Sequence, residues 1–449
     1  MAGDVRNEYT VGEIAAPIRN ALVGGPFGSD LVSDDYVATG VPVIRGANMG
    51  QGRWVDGEFA YVTPGKADSL SANCAKPGDL VFTQRGTLGQ VALVPKTGSD
   101  RYLISQSQMK LTVDADKADA LFVYYCFTSA EQQAYIRQNA IQTGVPHTNL
   151  GILRNTPLTL PPLASQKAIA AVLGALDDKI ELNRRMNATL EAMARALFQS
   201  WFVDFDPVRA KIDGRKPDGL DKATAALFPA AFQNSPLGPI PKGWMATTLG
   251  GACRTGGGDI QTGPFGTQLH ASDYVPEGIP SIMPSDLRDN RIDPTSISRI
   301  REKDADRLGV YRVEAGDVVY SRRGDVERRS LIRRAEDGWL CGTGCLRVRF
   351  GSHGLTSHFG ASHLGTLESR AWVVRHAVGA TMPNLNTSIL EALPMVVPPP
   401  ELQSLFGGIV GPWDERGTIA LEESRTLAAS RETLLPRLLT GAINIEDTT

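Results

Sequence analysis

The sequence contains no long apolar run. No segment approaches the roughly 18 to 20 apolar residues that a membrane-spanning helix requires, and the first ten residues, MAGDVRNEYT, lack the apolar core of a secretory signal. Cysteines are few in 449 residues, and their odd number and scatter do not suit a disulfide framework. They are Cys74, Cys126, Cys253, Cys341 and Cys345. We therefore expect a cytoplasmic protein without a membrane contact.

Signatures of common catalytic and cofactor sites are also missing. The sequence has no GxxxxGK[ST] phosphate loop, no HExxH, no paired CxxC and no glycine-rich dinucleotide turn. The segment Asp204–Pro207 lacks the second proline of a DNA methyltransferase loop. Three histidines recur every five residues, about 140° apart on a helix, so they cannot share a metal ion; they are His353, His358 and His363. We expect a non-catalytic chain without cofactor or metal.

The chain as a whole also lacks an excess of positive charge. Lys and Arg number 46 against 49 Asp and Glu, which gives a net charge of -3. Many modules that bind DNA on their own carry a clear basic excess. DNA binding would therefore depend on local patches or on partner subunits.

An internal repeat organises the sequence. GPFGSDLVSDDYVATGVPVI, from Gly25, matches GPFGTQLHASDYVPEGIPSI, from Gly263, at 11 of 20 positions with an offset of 238. The same offset pairs GDLVFTQRG with GDVVYSRRG, and an offset of 237 pairs PHTNLGILRNTPLTLPP with PNLNTSILEALPMVVPP. This period is too long for a solenoid, so it indicates a tandem duplication of a whole domain with the segment that follows it.

Each copy reads as a β-rich domain followed by a long helix. Short β-branched runs punctuated by Gly and Pro predict strands, with a helical patch before the Pro-Pro motif. From Ile169 to Leu197 apolar residues alternate at spacings of four and three, with Asn183 and Asn187 in the middle, which predicts a coiled-coil seam. The second seam is predicted to start after Pro412 and to kink or fray near Pro436.

The predicted fold class is α+β, with two β-rich domains alternating with two long helices. The expected boundaries are 1–161 for the first domain, 162–212 for the central helix, 213–243 for a linker, 244–399 for the second domain and 400–449 for the C-terminal helix.

Several side chains on or beside predicted strands have the chemistry of DNA contacts. Arg pairs in bidentate fashion with guanine and Gln with adenine, and Arg also neutralises phosphate. Between Arg299 and Arg334 the second copy holds eleven Lys and Arg against seven acids. The candidates are Arg45, Gln84, Arg85, Gln106, Gln108, Arg322, Arg323, Arg328 and Arg329. A merely solvated face is an equally good reading of any one of them.

Three segments resemble the specificity subunit of type I restriction-modification systems. They are Pro157–Lys211, Leu227–Trp244 and Ser430–Ile445, and the likeness extends over nearly the whole chain. In the first segment a proline pair, a glutamine that opens a helix and an aromatic-acidic ending follow in the family's order. The second-copy helix, GGIVGPWDERGTIALEES, departs from the pattern because it is richer in glycine.

The resemblance implies a function and a set of partners. Two target-recognition domains would each read half of a split, asymmetric sequence in double-stranded DNA. The two long helices between and after them would form an antiparallel coiled coil, which gives the chain pseudo-two-fold symmetry. Two methyltransferase subunits carrying S-adenosylmethionine would dock on the helices, and restriction subunits using ATP and Mg would join them. We assign the docking to apolar helix residues, namely Leu176, Ile180, Leu190, Leu197, Trp201, Phe202, Leu427 and Leu434.

Two other classes of function remain open from the sequence. A duplicated adaptor that binds protein, with its helices as a dimerisation rod, agrees with the near-neutral charge. An enzyme with an unrecognised active site is the second alternative, and it would modify or cut DNA without partners.

Overall fold

The computed structural model describes residues 6–50, 52–142, 144, 146–288, 290–379 and 381–443. The helices, in chain order, are α1 Pro64–Ser69, α2 Ala120–Thr128, α3 Ala130–Asn139, α4 Leu150–Arg154, α5 Leu163–Phe198, α6 Asp206–Ile212, α7 Lys222–Ala226, α8 Leu249–Thr255, α9 Glu302–Arg307, α10 Ser357–Leu364, α11 Leu367–His376, α12 Thr387–Glu391 and α13 Pro400–Thr440. No described helix is both long and apolar enough to cross a membrane.

The strands are short and spread over both halves of the chain. They are β1 Asn7–Thr10, β2 Leu22–Gly24, β3 Tyr36–Val37, β4 Val41–Ile44, β5 Ala60–Val62, β6 Cys74–Ala75, β7 Leu80–Thr83, β8 Val91–Leu93, β9 Tyr102–Ile104, β10 Gln108–Leu111, β11 Pro157–Leu160, β12 Phe232–Ser235, β13 Gly238–Pro241, β14 Met245–Thr248, β15 Ile260–Thr262, β16 Tyr274–Val275, β17 Ile279–Ile282, β18 Ser298–Ile300, β19 Val318–Ser321, β20 Arg329–Leu331, β21 Leu340–Cys341, β22 Cys345–Val348 and β23 Pro394–Val397.

The chain forms two compact units, and each contains one copy of the repeat. Unit 1 comprises residues 1–186 and 419–449, and unit 2 comprises residues 187–418. Each unit therefore combines a β-rich domain with parts of both long helices. In unit 1 the helix residues Leu173 and Leu438 lie in the same buried core as Phe122 and Phe127 of the domain, which is why helix and domain fold together.

The two units share most of their sheet topology. In unit 1 the sheets have the strand orders β1-β11, β2-β10-β7-β8 and β3-β5-β4-β9-β6, and the matching sheets of unit 2 are β14-β23, β15-β22-β19-β20 and β16-β18-β17-β21. Unit 1 has β6 as a fifth strand in the third sheet, and unit 2 has the additional two-stranded sheet β12-β13. The only parallel pairs among the described strands, β4-β9 and β17-β21, occupy the same place in each unit. The sequence repeat is thus a repeat of topology and of strand register.

A Gly-Asp pair in the sequence explains where β7 and β19 begin. The Gly-Asp pair before β7 places Gly78 at a φ of 93°, and the carboxylate of Asp79 accepts a hydrogen bond of 2.8 Å from the Lys76 amide. Gly316, at a φ of 103°, and Asp317, which accepts from the Glu314 amide at 2.8 Å, repeat this turn before β19. Glycine reaches positive φ at little cost, so the pair makes a tight entry into a buried strand.

The glutamine near the start of each long helix has a structural role. Gln166 is 1% exposed; its amide donates to the Pro161 carbonyl at 2.9 Å and accepts from the Asp119 amide at 3.0 Å. Gln403, 2% exposed, bonds Pro398 and Thr356 in the same way at 2.9 and 3.1 Å. Each glutamine therefore ties the start of a long helix to the preceding domain.

The central helix is interrupted within the predicted range 162–212. After α5 a π-helical turn covers Gln199–Val203, Phe205 takes a left-handed φ of 57°, and α6 begins at Asp206 with Pro207 in its first turn. The segment 213–243, predicted as a linker, is part of unit 2, because its residues Phe228 and Ile240 are buried in that core.

The second long helix begins at Pro400 and continues through both of its internal prolines. α13 runs from Pro400 to Thr440 and includes both Pro412 and Pro436, with Leu438 only 3% exposed after the second proline. Burial of this end in the core of unit 1 compensates the backbone hydrogen bond that a proline removes. Of the predicted segment 400–449, residues 444–449 lie outside the described part of the chain.

The two long helices run antiparallel, as predicted. In unit 1 Asp177 of α5 meets Arg431 of α13 at 2.7 Å, whereas Asn183, further along α5, donates to Ser424, earlier on α13, at 3.2 Å. In unit 2 the rings of Phe198 and Phe406 lie 5.5 Å apart. Rising numbers on one helix thus meet falling numbers on the other.

Candidate nucleic-acid interface

One edge of each β-rich domain collects five loops. In unit 1 the loop cluster consists of residues 25–31, 45–46, 84–85, 105–107 and 147–148; in unit 2 it consists of residues 263–268, 283–284, 322–324, 342–344 and 383–385. These loops follow buried strands such as β4 and β7 of unit 1, and β17 and β19 of unit 2. A rigid sheet beneath adjacent loops is a common way to position binding residues.

Matching hydrogen bonds fasten the loops together in both units. In unit 1 they run, donor first, from Gly25 N to Gln108 O at 2.8 Å, Gln84 N to Ser107 O at 2.7 Å, Ser105 N to Ile44 O at 2.9 Å and Thr148 N to Gln84 O at 3.0 Å. In unit 2 they run from Gly263 N to Cys345 O at 2.9 Å, Arg322 N to Gly344 O at 2.7 Å, Gly342 N to Ile282 O at 2.9 Å and Leu385 N to Arg322 O at 2.8 Å. The two clusters are therefore built by the same backbone contacts.

The first glycine of the GPFG motif allows the loops to approach closely. A Cβ at Gly25 would lie 2.0 Å from the Ser105 carbonyl oxygen, and one at Gly263 would lie 2.1 Å from that of Gly342. No other residue fits such a contact without moving the backbone. The strongest repeated segment of the sequence is therefore explained in part by packing within the loop cluster.

Four arginines among the predicted DNA contacts are exposed. Arg45 lies at the end of β4, and Arg85 follows β7. Arg323 stands where Arg85 does, and each forms an isolated β-bridge, with Asn384 and His147 respectively. Arg328 is also exposed, but its guanidinium is 2.7 Å from Asp325. The three arginines at positions 45, 85 and 323 lie within the loop clusters and present positive charge at their surfaces.

The structure removes other predicted contacts from the surface. Gln108 is fully buried and its side-chain carbonyl accepts from Ser105, so it cannot reach a base edge. The guanidinium of Arg329 donates to the Leu364 carbonyl at 2.9 Å beneath α10. The alternation of residues between the two faces of a strand did not predict this burial, because β10 and its neighbouring strands are covered on both faces.

Three further candidates lie in the loop clusters. The exposed Gln106 donates its amide to the carbonyls of Gly28 and Leu31, at 2.8 and 3.1 Å, and thereby holds the GPFG loop. Gln84 and Arg322 are half-buried at matching positions, and the Arg322 guanidinium donates to the Leu385 carbonyl at 3.3 Å. Gln106 and Arg322 therefore hold neighbouring loops in place.

The basic region of the second copy is largely neutralised within unit 2. Arg301, Arg307 and Arg312 pair with acids of α9 at distances of 2.8 to 3.6 Å. A cavity of about 400 Å³ in unit 2 is lined by Arg288, Arg328, Arg329 and Arg370 together with Asp325 and Glu327. The charge excess counted from the sequence is therefore a weaker sign of DNA contact than the three arginines of the loop clusters.

Burial shifts the pKa values of one histidine and several cysteines away from their ordinary ranges. Burial lowers the pKa of His363 to about 4 and raises the pKa values of Cys126, Cys253 and Cys341 to about 12. Within the described residues no three His, Cys, Asp or Glu side chains gather as metal ligands would. His363 instead lies against the rings of Phe198 and Phe359.

Comparison with known proteins gives this arrangement a family. The model of the type I restriction modification DNA specificity domain matches residues 32–192. The HindI specificity subunit of Haemophilus influenzae is 34% identical over 160 residues, 35% of this chain and 34% of that protein. The MjaIX specificity subunit of Methanocaldococcus jannaschii is 22% identical over 453 residues, 99% of this chain and 94% of that protein. Residues 32–192 therefore match the type I DNA specificity domain, and a weaker similarity to a specificity subunit extends along nearly the whole chain.

A solved structure supports the fold of the specificity-subunit family. The crystal structure of a type I restriction-modification S subunit from M. genitalium covers 98% of this chain and 97% of its own with a TM-score of 0.57 at 16% identity. At that identity the likeness concerns the fold, including the two long helices.

Two of the docking residues predicted on the helices are buried. Trp201 and Phe202 are 3% and 5% exposed; Trp201 packs 5.3 Å from Phe228 and Phe202 packs 5.1 Å from Phe359. They belong to the core of unit 2 and offer no surface to a partner. In the sequence, apolar residues at a helix end that packs into a domain core cannot be distinguished from an apolar helix face that is exposed to a partner.

The remaining docking candidates are half-buried. Leu197 packs against the core of unit 2, and Leu434 packs against that of unit 1. The others are Leu176, Ile180, Leu190 and Leu427. The most exposed large apolar side chains of the two long helices were not predicted as docking residues, because they lie off the coiled-coil seam. They are Val172, Leu182, Met193 and Ile419.

The repeat offset also pairs two arginines that the sequence reasoning missed. Arg53, 9% exposed, donates to the Gly174 carbonyl of α5 at 3.0 Å and pairs with Asp178. Arg291, 238 positions later, donates to the Thr418 hydroxyl of α13 at 2.8 Å. Each arginine fastens a domain loop to a long helix.

Proposed function

We propose that this chain is the DNA-specificity subunit of a type I restriction-modification complex and that each unit reads one half of a bipartite target in double-stranded DNA. The observation that carries the proposal is the loop cluster. The chain builds it twice from the same backbone contacts, while the side chains at its surface differ between the copies. This combination suits two reading heads with different half-sites.

The exposed arginines of the loop clusters have the chemistry that DNA reading requires. A guanidinium forms bidentate hydrogen bonds with guanine O6 and N7 in the major groove, or with phosphate oxygens. Arg85 and Arg323 occupy the same position in the loop clusters of their units, where each forms an isolated β-bridge. We assign to them the first contacts of each half-site.

The asymmetry of the proposed target follows from matched positions that differ. Arg45 corresponds to Met283, and Gln84 corresponds to Arg322. An arginine and a methionine cannot select the same base, because only the former donates hydrogen bonds. The two half-sites should therefore have different sequences.

Catalysis is assigned to partner subunits. Two methyltransferase subunits would supply S-adenosylmethionine, and restriction subunits would supply ATP and Mg chemistry. The exposed apolar side chains of the long helices, with Leu182 at 54% and Ile419 at 48% exposure, are better docking candidates than the buried Trp201 and Phe202. Apolar side chains clustered at the centre of an interface usually contribute most to binding.

Methylation mapping tests the function directly. We expect deletion of the gene, in a strain with active partner subunits, to remove one split, asymmetric methylated motif from the genome. Exchange of residues 1–150 for those of another specificity subunit should change one half-site and leave the other intact. A methylome that is unchanged by the deletion would favour the adaptor hypothesis.

A purified sample separates the chain from a self-sufficient enzyme. We expect the chain alone to leave DNA unmethylated and uncut, and methylation to require added methyltransferase subunits. Modification of DNA by the chain without partners would refute the assignment of catalysis to other subunits.

A further inference from the structure

Each loop cluster exposes one phenylalanine. Phe27 is 86% exposed and Phe265 is 61% exposed, and both come from the GPFG motif at the offset of 238. Large aromatic side chains are usually buried, because exposure forgoes their hydrophobic stabilisation. Packing explains the glycine that opens this motif, but it does not explain the exposed ring.

Each phenylalanine lies on a loop whose backbone is held by side-chain hydrogen bonds. In unit 1 the Gln106 amide bonds the Gly28 carbonyl at 2.8 Å. In unit 2 the Thr343 hydroxyl bonds the Pro264 carbonyl at 3.1 Å, and the side-chain oxygen of Gln268 accepts from the Phe265 amide at 3.2 Å. Different side chains thus hold the backbone of the same loop in the two units.

The surroundings of each ring favour DNA over a protein partner. The GPFG loop is hydrogen-bonded into the same cluster as Arg85 in unit 1 and Arg323 in unit 2. Protein interfaces bury large patches around several apolar anchors. An exposed aromatic ring in the same loop cluster as exposed arginines instead matches proteins that neutralise phosphates and insert an apolar wedge between base steps.

We propose that Phe27 and Phe265 are DNA wedges, one for each half-site, whose rings contact bases that the arginines do not read. The inference rests on the proposed function and adds a contact and a distortion of the duplex to it. Stacking or wedging by an aromatic ring depends on its flat apolar surface, so tryptophan should replace phenylalanine better than alanine does.

The test uses the full complex of this chain with the methyltransferase subunits of its host. A random-sequence duplex library first identifies the bound motif, and 2-aminopurine is then placed at successive positions of each half-site. We expect Phe27→Ala and Phe265→Ala each to weaken binding about tenfold and to abolish the 2-aminopurine fluorescence increase in one half-site only. Phe27→Trp and Phe265→Trp should restore both signals.

Control variants separate this contact from general effects. Ile18→Ala in unit 1 and Leu367→Ala in unit 2 remove apolar side chains that are 60% and 78% exposed outside the loop clusters, and they should leave binding unchanged. Co-elution of the methyltransferase subunits should be the same for all variants.

The outcomes distinguish the inference from the function on which it rests. If the wild-type complex selects no motif, both are overturned. If it selects a motif that the alanine variants bind with wild-type affinity and fluorescence, the wedges are refuted and the function stands. Loss of methyltransferase co-elution from the alanine variants, with the fluorescence of the remaining complex unchanged, would make the rings a protein contact and also refute the wedges.

Discussion

The two units use one scaffold but stabilise it with different side chains. Beneath the loop cluster, unit 1 places Gln106 and Gln108 where unit 2 places Thr343 and Cys345. The backbone hydrogen bonds at these positions are the same, and Gln106 and Thr343 both bond a carbonyl of the GPFG loop. The comparison teaches that the repeat preserves main-chain geometry, while the side chains above and below it are free to diverge.

The junctions between domain and helix differ more strongly. In unit 2 Asp414 accepts two hydrogen bonds from Arg333, at 2.7 and 2.8 Å, and lies 3.6 Å from Arg291. Burial opposes ionisation, but Arg333 and Arg291 hold the pKa of Asp414 below its ordinary value. In unit 1 the matching Asp177 pairs with Arg431 at 2.7 Å and accepts from the Tyr125 hydroxyl at 2.7 Å.

The largest expected effect is a loss of unfolding free energy, and it differs between these two junctions. Asp414→Asn leaves Arg333 and Arg291, with side chains 10% and 14% exposed, without their carboxylate, and should lower the free energy of unfolding of unit 2 by about 3 to 5 kcal/mol. Asp177→Asn should cost unit 1 only about 1 to 2 kcal/mol, because Arg431 is 32% exposed and can regain water.

Urea unfolding followed by cysteine labelling reports the two units separately. Cys74 and Cys126 belong to unit 1, and Cys253, Cys341 and Cys345 belong to unit 2. Equal losses in the two variants would contradict the idea that the junctions differ in strength.

Acid should affect unit 2 through a buried histidine. The pKa of His363 is lowered to about 4 by burial, whereas an unfolded histidine titrates near 6.5. The unfolded state therefore binds more protons between these values, so stability is complete above pH 6.5 and is lost as pH falls toward 4. The maximum loss is on the order of 3 kcal/mol.

A histidine substitution isolates this pH effect. Thermal unfolding of the wild type should show the fall between pH 6.5 and 4, and His363→Gln should flatten it. His353→Asn changes an exposed histidine of the same unit and serves as the matched control. A wild-type slope that survives in His363→Gln would assign the acid sensitivity to other groups, such as His358, whose pKa is also lowered by burial.

The loop-cluster arginines provide a smaller, paired effect on DNA binding. Arg85→Ala and Arg323→Ala should each cost about 1 to 3 kcal/mol of binding free energy and relax base preference in one half-site. Competition binding with single-base variants of the selected motif measures both quantities. Arg215→Ala, an exposed arginine paired with Asp213, is the control.

The outcome also decides what the two arginines contact. A uniform loss across all variants of the motif, with a reduced salt dependence, would show that they bind phosphate and do not read bases. Loss of preference in both half-sites from a single substitution would contradict the division of reading between the units.

The smallest expected effect is on thiol reactivity in the native protein. Burial raises the pKa values of Cys126, Cys253 and Cys341 to about 12, and the thiolate is the reactive form. Alkylation near neutral pH should therefore be negligible until a unit unfolds, as followed by mass spectrometry of peptides. Rapid native labelling confined to one unit would indicate that its core opens more readily.

Much of the architecture was accessible from the sequence because it depends on local patterns. The repeat offsets predicted the duplication, and the four-and-three spacing from Ile169 predicted the long helix. Asn183 was recognised as a polar seam position, and its amide indeed donates to the Ala420 carbonyl and the Ser424 hydroxyl of the partner helix, both at 3.2 Å.

The candidate site was harder to predict, because exposure depends on contacts between distant segments. Gln108 has the chemistry of an adenine reader, yet neighbouring strands bury it completely. Trp201 and Phe202 follow a long helix in sequence, but the π-helical turn directs them into a core. Phe27 was part of the strongest repeated motif, and only the loop geometry showed that its ring is exposed.

The sequence by itself determined that one domain occurs twice, that a long helix follows each copy and that familiar catalytic motifs are absent. These features rest on residue identity and spacing along the chain. Only the tertiary structure decided which polar side chains face solvent, which arginines are neutralised by nearby acids and which helix residues are buried. Burial and ion pairing arise between residues far apart in sequence, and no local pattern encodes them.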